Sequence, residues 1–386
     1  MRETDAVADA RRDLEVCNAC RYCESFCAVF PAMTLRRDFS TADIGYLANL
    51  CHNCRGCYYA CQYAPPHPFN INLPQTFAQV RSETYEDYAW PAPMRGLFKS
   101  NGNLIAMTTV VLIAGVLLAC MAIVDPSILY TPQTGPGAFY RVIPWWVMVL
   151  ISGTTFGFAI LALIMGFRAF WKDTGGKPGE LTQGRPLATA LHDIFTLRNL
   201  GGGGGGCNDR DEAFSNTRRR FHHLMFYGFL LCFASTTSAT FYDHFLGHPA
   251  PYPFWSLPVQ LGTWGGVGMV LGTAGLIWVK ITADPAPAAR NLLGAEYALL
   301  TLLFLVASTG LLLLGLRHTG AMGVILAVHL GTVFAFFLLT PYSKMVHGVY
   351  RSAALLRHAL ERQPAQPSPT LPPSAQSKDR AAGSVA

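Results

Sequence analysis

Six stretches of this chain, near residues 103–124, 143–167, 221–243, 257–280, 295–316 and 320–342, are each long and apolar enough to cross a bilayer, which takes about 20 residues of helix. They make the larger part of the protein a mainly α, six-helix membrane bundle. Of the 386 residues 51% are hydrophobic and 13% charged, a charge fraction about half that of soluble domains. The segments between spans divide by charge. One side holds Arg95, Lys99, Arg168, Lys172, Lys177, Arg185, Arg198, Arg210, Arg218 to Arg220, Lys280, Arg290, Lys344, Arg351, Arg357 and Arg362, whereas the other has only Arg141 and Arg317. Basic loops mark the cytoplasmic side, so both termini are expected there. The net charge of +6 lies in these loops and reads as topology rather than as a nucleic-acid face. The outer loop 244–258 is aromatic, carries no cation and is expected to form an ordered lid.

Eight cysteines ahead of the spans repeat one pattern: Cys17-x2-Cys20-x2-Cys23-x3-Cys27 and Cys51-x2-Cys54-x2-Cys57-x3-Cys61. Such runs hold 4Fe-4S clusters, and in two-cluster ferredoxins the fourth cysteine commonly reaches across to the other cluster. Structural zinc fits one CxxC pair better than a whole repeated run. A disulfide framework needs an oxidising compartment, and residues 1–16 are charged, without the apolar core of a signal peptide. Two 4Fe-4S clusters are therefore expected, in a cytoplasmic domain spanning residues 1–94. Ser40, Thr41 and Asp43 followed by Ile44, Tyr46, Leu47 and Leu50 predict a capped helix that delivers Cys51. Alternating Val/Ile strands are lacking, so the head is an α-helical ferredoxin-like domain. A transmembrane haem b domain covers 95–362, and the Pro-, Ser- and Ala-rich tail 363–386 is expected to be disordered. Between spans two and three, Gly201 to Gly206 and then Cys207 form either a linker or a backbone cradle for a partner or an anionic ligand.

Ionisable residues within a span are functional candidates, because they are costly there without a partner. His329 lies inside the sixth span and His347 beyond its cytoplasmic end; if the helix continues past Pro341, the two share one face about 27 Å apart. His222 and His223 begin the third span and His244 ends it, with His222 and His244 about 40° apart in phase. Facing helices that each offer an upper and a lower imidazole suit bis-histidine ligation of stacked b-type haems. His347 with His222 or His223 would hold a cytoplasmic-side haem, and His329 with His244 an outer one, with His248 in reserve. Gly228 and Gly331 would let a macrocycle approach the backbone. The alternatives are a hydrogen bond across helices for His329, a basic collar for His222 or His223, and solvation for His244. His192, His318 and His358 read as surface residues, and Cys120 and Cys232 as small apolar ones.

The cysteine runs, Gly206-Cys207, Arg219-Arg220-Phe221-His222-His223, Thr240-Phe241-Tyr242-Asp243-His244, His329-Leu330-Gly331 and Pro341-Tyr342-Ser343-Lys344-Met345-Val346-His347 resemble the tricarballylate/citrate utilisation protein B family over nearly the whole chain. The resemblance implies a bacterial inner-membrane protein that reoxidises the reduced flavin of a partner FAD-dependent dehydrogenase, tricarballylate dehydrogenase, and passes electrons through clusters and haem b to quinone. The membrane half is also similar to the cytochrome b subunit of respiratory nitrate reductase, where two histidines on one helix serve two haems. A related fused protein of cobalamin biosynthesis carries a similar module. A heterodisulfide-reductase-like subunit would need a further cysteine-rich domain or flavin fold, and a redox sensor would need an output domain; the chain has room for neither. No nucleophile or general acid/base constellation stands outside the ligands, so no catalytic residue is expected.

Overall fold

Apolar runs of this length satisfy their backbone polar groups inside lipid only by closing i→i−4 hydrogen bonds, and all six do so. The computed structural model describes residues 1–363 apart from Gly203; the rest of the tail lies outside the described residues. The head comprises α1 (Asp5–Cys20), α2 (Val29–Thr34), α3 (Thr41–Leu50), α4 (Gly56–Tyr59) and α5 (Leu73–Asp87). Ser40 and Asp43 close a reciprocal capping box on α3, and Cys51 ends that helix as the sequence predicts.

Six long helices are apolar enough to cross a membrane. They are α6 (Asn101–Ile123), then, after the short helices α7 (Pro126–Leu129) and α8 (Ala138–Val142), α9 (Trp145–Asp173). The amphipathic α10 (Gly184–Thr196) precedes α11 (Thr217–Phe245), α12 (Leu257–Ile281), α13 (Leu293–Leu316) and α14 (Met322–Leu339), and α15 (His347–Glu361) closes the described chain. The predicted spans fall within a few residues of these, except that α9 runs on to Asp173. The extension buries Phe170 and Trp171 in the core of the head.

That core is not closed by residues 1–94 alone. Tyr350, Ala353, Ala354 and Leu355 of α15 pack with Leu14, Phe30, Leu47 and Phe77 in one apolar cluster. Arg36 locks the assembly from the head side, donating to Glu361 at 2.7 Å and to Asp43 at 2.6 Å. The outer loop is ordered as expected: Tyr252 Oη donates to the Ala239 carbonyl at 2.9 Å, and Arg317 donates to the Tyr252 carbonyl at 2.7 Å.

Two expectations fail for one reason each. The sixth span does not continue to His347: α14 stops at Leu339, and two 3-10 turns (Thr340–Tyr342 and Lys344–Val346) redirect the chain. Pro341 cannot donate to the ladder, and Ser343 is extended (φ −123°, ψ 173°) with its hydroxyl accepting from Met345 N. His329 and His347 therefore lie on different helices. Gly228 and Gly331 serve helix packing rather than a macrocycle: a Cβ at Gly228 would stand 2.6 Å from Met269 N on α12, and one at Gly331 would stand 2.6 Å from Ile113 Cα on α6.

A candidate iron-sulfur and haem centre

The helix ends set the cysteines. Cys17 and Cys20 finish α1, where Arg21 turns left-handed (φ 56°) and donates to the Cys17 carbonyl. Cys51 ends α3, Cys57 lies in α4 and Cys61 follows it. Two cavities result. One, of about 280 Å³, is lined by Cys17, Cys20, Cys23, Cys57 and Cys61. The other is lined by Cys27, Cys51, Cys54 and Cys57. The fourth cysteine of each run thus stands with the first three of the other. With Cys57 shared between them, the eight thiols divide into two sets of four, the donor set of a 4Fe-4S cluster in each. Among the described residues no three His, Cys, Asp or Glu side chains converge on a single-ion site; a cubane does not require this, because each thiolate takes its own iron.

Burial dominates the thiol chemistry. It pushes Cys54 up to about 11 and Cys23 to about 12, with neighbouring thiols adding to both, so the free side chains stay protonated and metal binding must displace protons. Burial raises Cys27 too, while hydrogen bonds from the backbone N–H groups of Val29 and Phe30 at the start of α2 pull it back down.

The second cavity is tied to the bundle by buried cations. Arg55 donates to the carbonyls of Asp209 and Asp284 at 3.1 and 3.0 Å. Arg218, at the start of α11, donates to the carbonyls of His52 and Asn53 at 2.8 and 2.9 Å and to Asp209 at 3.0 Å. The glycine-rich stretch belongs to the same assembly. Cys207 is fully buried, pairs with Ser215 in an antiparallel bridge, and shares a small core with Cys54 and Leu200. The described part of this stretch packs against the head at Cys54, which a free linker would not do.

The histidines divide. His222 and His347 come together with ring centres 6.4 Å apart at 84°. Two imidazoles this close could be shared by one iron, as bis-histidine ligation of a haem requires. His347 Nδ1 donates to the Lys344 carbonyl at 2.6 Å, which leaves Nε2 as the free lone pair. Burial, then Arg351, holds His347 well below the ordinary imidazole value, so it is a neutral ring fit for a metal. Nδ1 of His222 is buried without a partner. The donor set fits a bis-histidine haem.

His223 instead meets the Thr196 carbonyl at 3.2 Å and turns towards α10. His329 faces α13, within 3.0 Å of Thr309 Oγ1 and against Gly310. His244 sits by Trp145, with ring centres 5.3 Å apart, and 3.4 Å from Asp243. His248 is exposed near Tyr242. The expected His329–His244 pair is therefore not brought together, because the two rings face different helices. His358 is no surface residue: it is 4% exposed, on the face of α15 that packs against the head and α10. Sequence reasoning missed Arg55, Arg218 and His52 as supports of the second cavity; the triple arginine before α11 was the available signal.

Residues 10–87 match the model of the citrate utilization protein B Fer4-like domain, and residues 101–368 match that of citrate utilization protein B. The citrate utilization protein B of Escherichia coli is 46% identical over 364 residues, which span 93% of this chain and 94% of that protein. No solved structure matches. With a helical head whose cysteines carry the iron-sulfur pattern, six membrane-length helices and matches across both, this chain belongs to the citrate utilization protein B family.

Proposed function

We propose that this protein is an inner-membrane electron carrier that reoxidises the reduced flavin of a cytoplasmic dehydrogenase acting on a tricarboxylic acid, and delivers the electrons to membrane quinone. Iron-sulfur clusters and haem each supply one-electron chemistry that side chains lack. The observation that supports the reading most is the sequence of sites along one line of contacts. The first cavity opens at the head surface, the second shares Cys57 with it, and Arg351 joins the Cys51 carbonyl of the second to the helix that begins with His347. Cys17, Cys20, Cys23 and Cys61 would hold one cluster, and Cys27, Cys51, Cys54 and Cys57 the other. His222 and His347 would hold a single haem b from opposite sides. The cations fix the order of these sites by hydrogen-bonding the backbone that carries them. Lys280 and Lys344 both pair with Glu296, so one carboxylate offsets part of the positive charge at this edge of the bundle.

Purified protein in detergent tests this. The expected result is about nine irons per chain, eight from two four-iron clusters and one from the haem, and a b-type band in the reduced-minus-oxidised spectrum, with quinone reduced when flavoprotein and substrate are added. A protein with clusters but no haem signal would sink the route through His222 and His347.

A further inference from the structure

The second cysteine cavity is completed from outside the head. Its wall includes Asn199, which lies in the 3-10 turn Arg198–Gly201 between α10 and α11 and belongs to neither cysteine run. Asn199 Nδ2 is buried and has no hydrogen-bond partner. A stranded amide donor is unfavourable, and native proteins keep few of them. The cysteine sulfurs that line this cavity are acceptors, as is the buried, unpartnered Oδ1 of Asn53, and a cluster seated there would add sulfides.

The turn is held against the cavity by several independent contacts. Cys207 Sγ donates to the Leu200 carbonyl at 3.0 Å, and Asn208 N donates to the Cys54 carbonyl at 2.9 Å. Gly206 (φ +116°) admits no side chain, since a Cβ would stand 2.6 Å from the Ser215 backbone. A Cβ at Gly202 (φ +44°) would stand 2.3 Å from the Gly206 carbonyl oxygen and 3.6 Å from Cys54 Sγ. The glycines let the loop fold back on itself directly over Cys54. Asn199 is thereby placed as a fixed donor rather than a surface amide.

We propose that Asn199 is a positioning residue for the second 4Fe-4S cluster, donating an N–H···S hydrogen bond that raises its reduction potential. The proposal rests on the two-cluster reading above. Reduction adds negative charge to the sulfurs, so a donor aimed at them stabilises the reduced form more than the oxidised one. Arg55 Nε is a second unpartnered donor on the same wall and acts in the same direction. The loop between two membrane spans would then set the potential of a cluster whose ligands all lie in the head.

The test is a redox titration of the full-length protein followed by electron paramagnetic resonance, with iron and haem content measured on the same samples. In Asn199→Leu one of the two cluster midpoints is expected to fall while the other and the haem stay at parent values. Asn199→Asp, which replaces the donor with a negative charge, is expected to lower the same midpoint further. Should Asn199→Leu lose iron, the conservative Asn199→Gln at full iron content takes its place, and a midpoint nearer the parent than that of Asn199→Asp supports the proposal. Midpoints unchanged in all variants, or both clusters shifting equally, overturn it. A parent protein without two clusters overturns the underlying reading as well, and iron content alone distinguishes that failure.

Discussion

Arg351 Nη2 donates to the carbonyl oxygen of Cys51 at 3.0 Å, and its Nε reaches the Asn49 carbonyl at 3.4 Å. Because His347 begins the same helix one turn earlier, one side chain ties the helix of the proposed haem ligand to the backbone of a proposed cluster ligand. Arg81 approaches the same Cys51 carbonyl at 3.0 Å from α5. Burial, then Arg81, lowers Arg351 to about 10, so at neutral pH it remains charged next to the second cavity. Replacing Arg351 with Ala leaves a charged hydrogen bond unmade, at a cost of about 1.5–3 kcal/mol. It also removes a cation that favours the reduced cluster. The expected outcome is a lower midpoint for one cluster and a lower unfolding temperature, read by redox titration and thermal melting; Arg351→Lys should restore part of the midpoint but little of the two-acceptor geometry.

His222 and His223 are neighbours in sequence with different neighbours in space. Removing His222 takes one of two facing imidazoles from the pair with His347. Removing His223 breaks only its contact with the Thr196 carbonyl. His222→Ala and His347→Ala should each abolish the b-type spectrum, whereas His223→Ala should keep it and lose about 1 kcal/mol of stability. A haem content that survives His222→Ala would reassign the ligand.

His358 makes the docking of α15 sensitive to acid. Burial, then Arg362, lowers it to about 4, so the folded protein holds it neutral. The unfolded chain has the ordinary value of about 6.5 and binds more protons between the two values. Stability from this group is thus fully present above about pH 6.5 and declines as the pH falls towards 4, by at most about 1.4 kcal/mol per pH unit. Chemical denaturation followed from pH 7 to 5 should show this loss, and His358→Gln should flatten the slope. An unchanged slope would mean that α15 opens to solvate His358 without unfolding.

The bundle was legible in the sequence because apolar length alone specifies a spanning helix, and the cysteine groups were legible because their spacing is tied to the geometry of the cubane they would hold. The histidine pairing was only half legible. Residue spacing gives a phase along an unbroken helix, but Pro341 and Ser343 break the helix before His347. What each ring then faces depends on how helices rotate against one another, and that is decided by glycines at close crossings. His329 turns to Thr309 and Gly310 for this reason. Asn199 gave no signal at all, since its place depends on a loop folding back over Cys54.

The crossing of α11 and α12 is where this rotation can be tested. A Cβ at Gly272 would stand 2.4 Å from Met225 N, and one at Gly275 would stand 2.1 Å from the Phe221 ring. Both contacts flank His222, so the close approach of the two helices fixes the height and direction of that ring. At Gly275 the obstacle is a side chain that can swing, whereas at Gly272 it is backbone and the helices must separate. Overpacking of this kind costs about 1–3 kcal/mol. Gly272→Ala should therefore lower the melting temperature and weaken haem retention together, while Gly275→Ala should lower stability with less loss of haem. Non-haem iron should stay at the parent value in both, because the cysteine ligands lie in the head. Melting in detergent with haem and iron assayed on the same sample separates these outcomes, and equal haem loss in the two variants would show that backbone separation is not what moves His222.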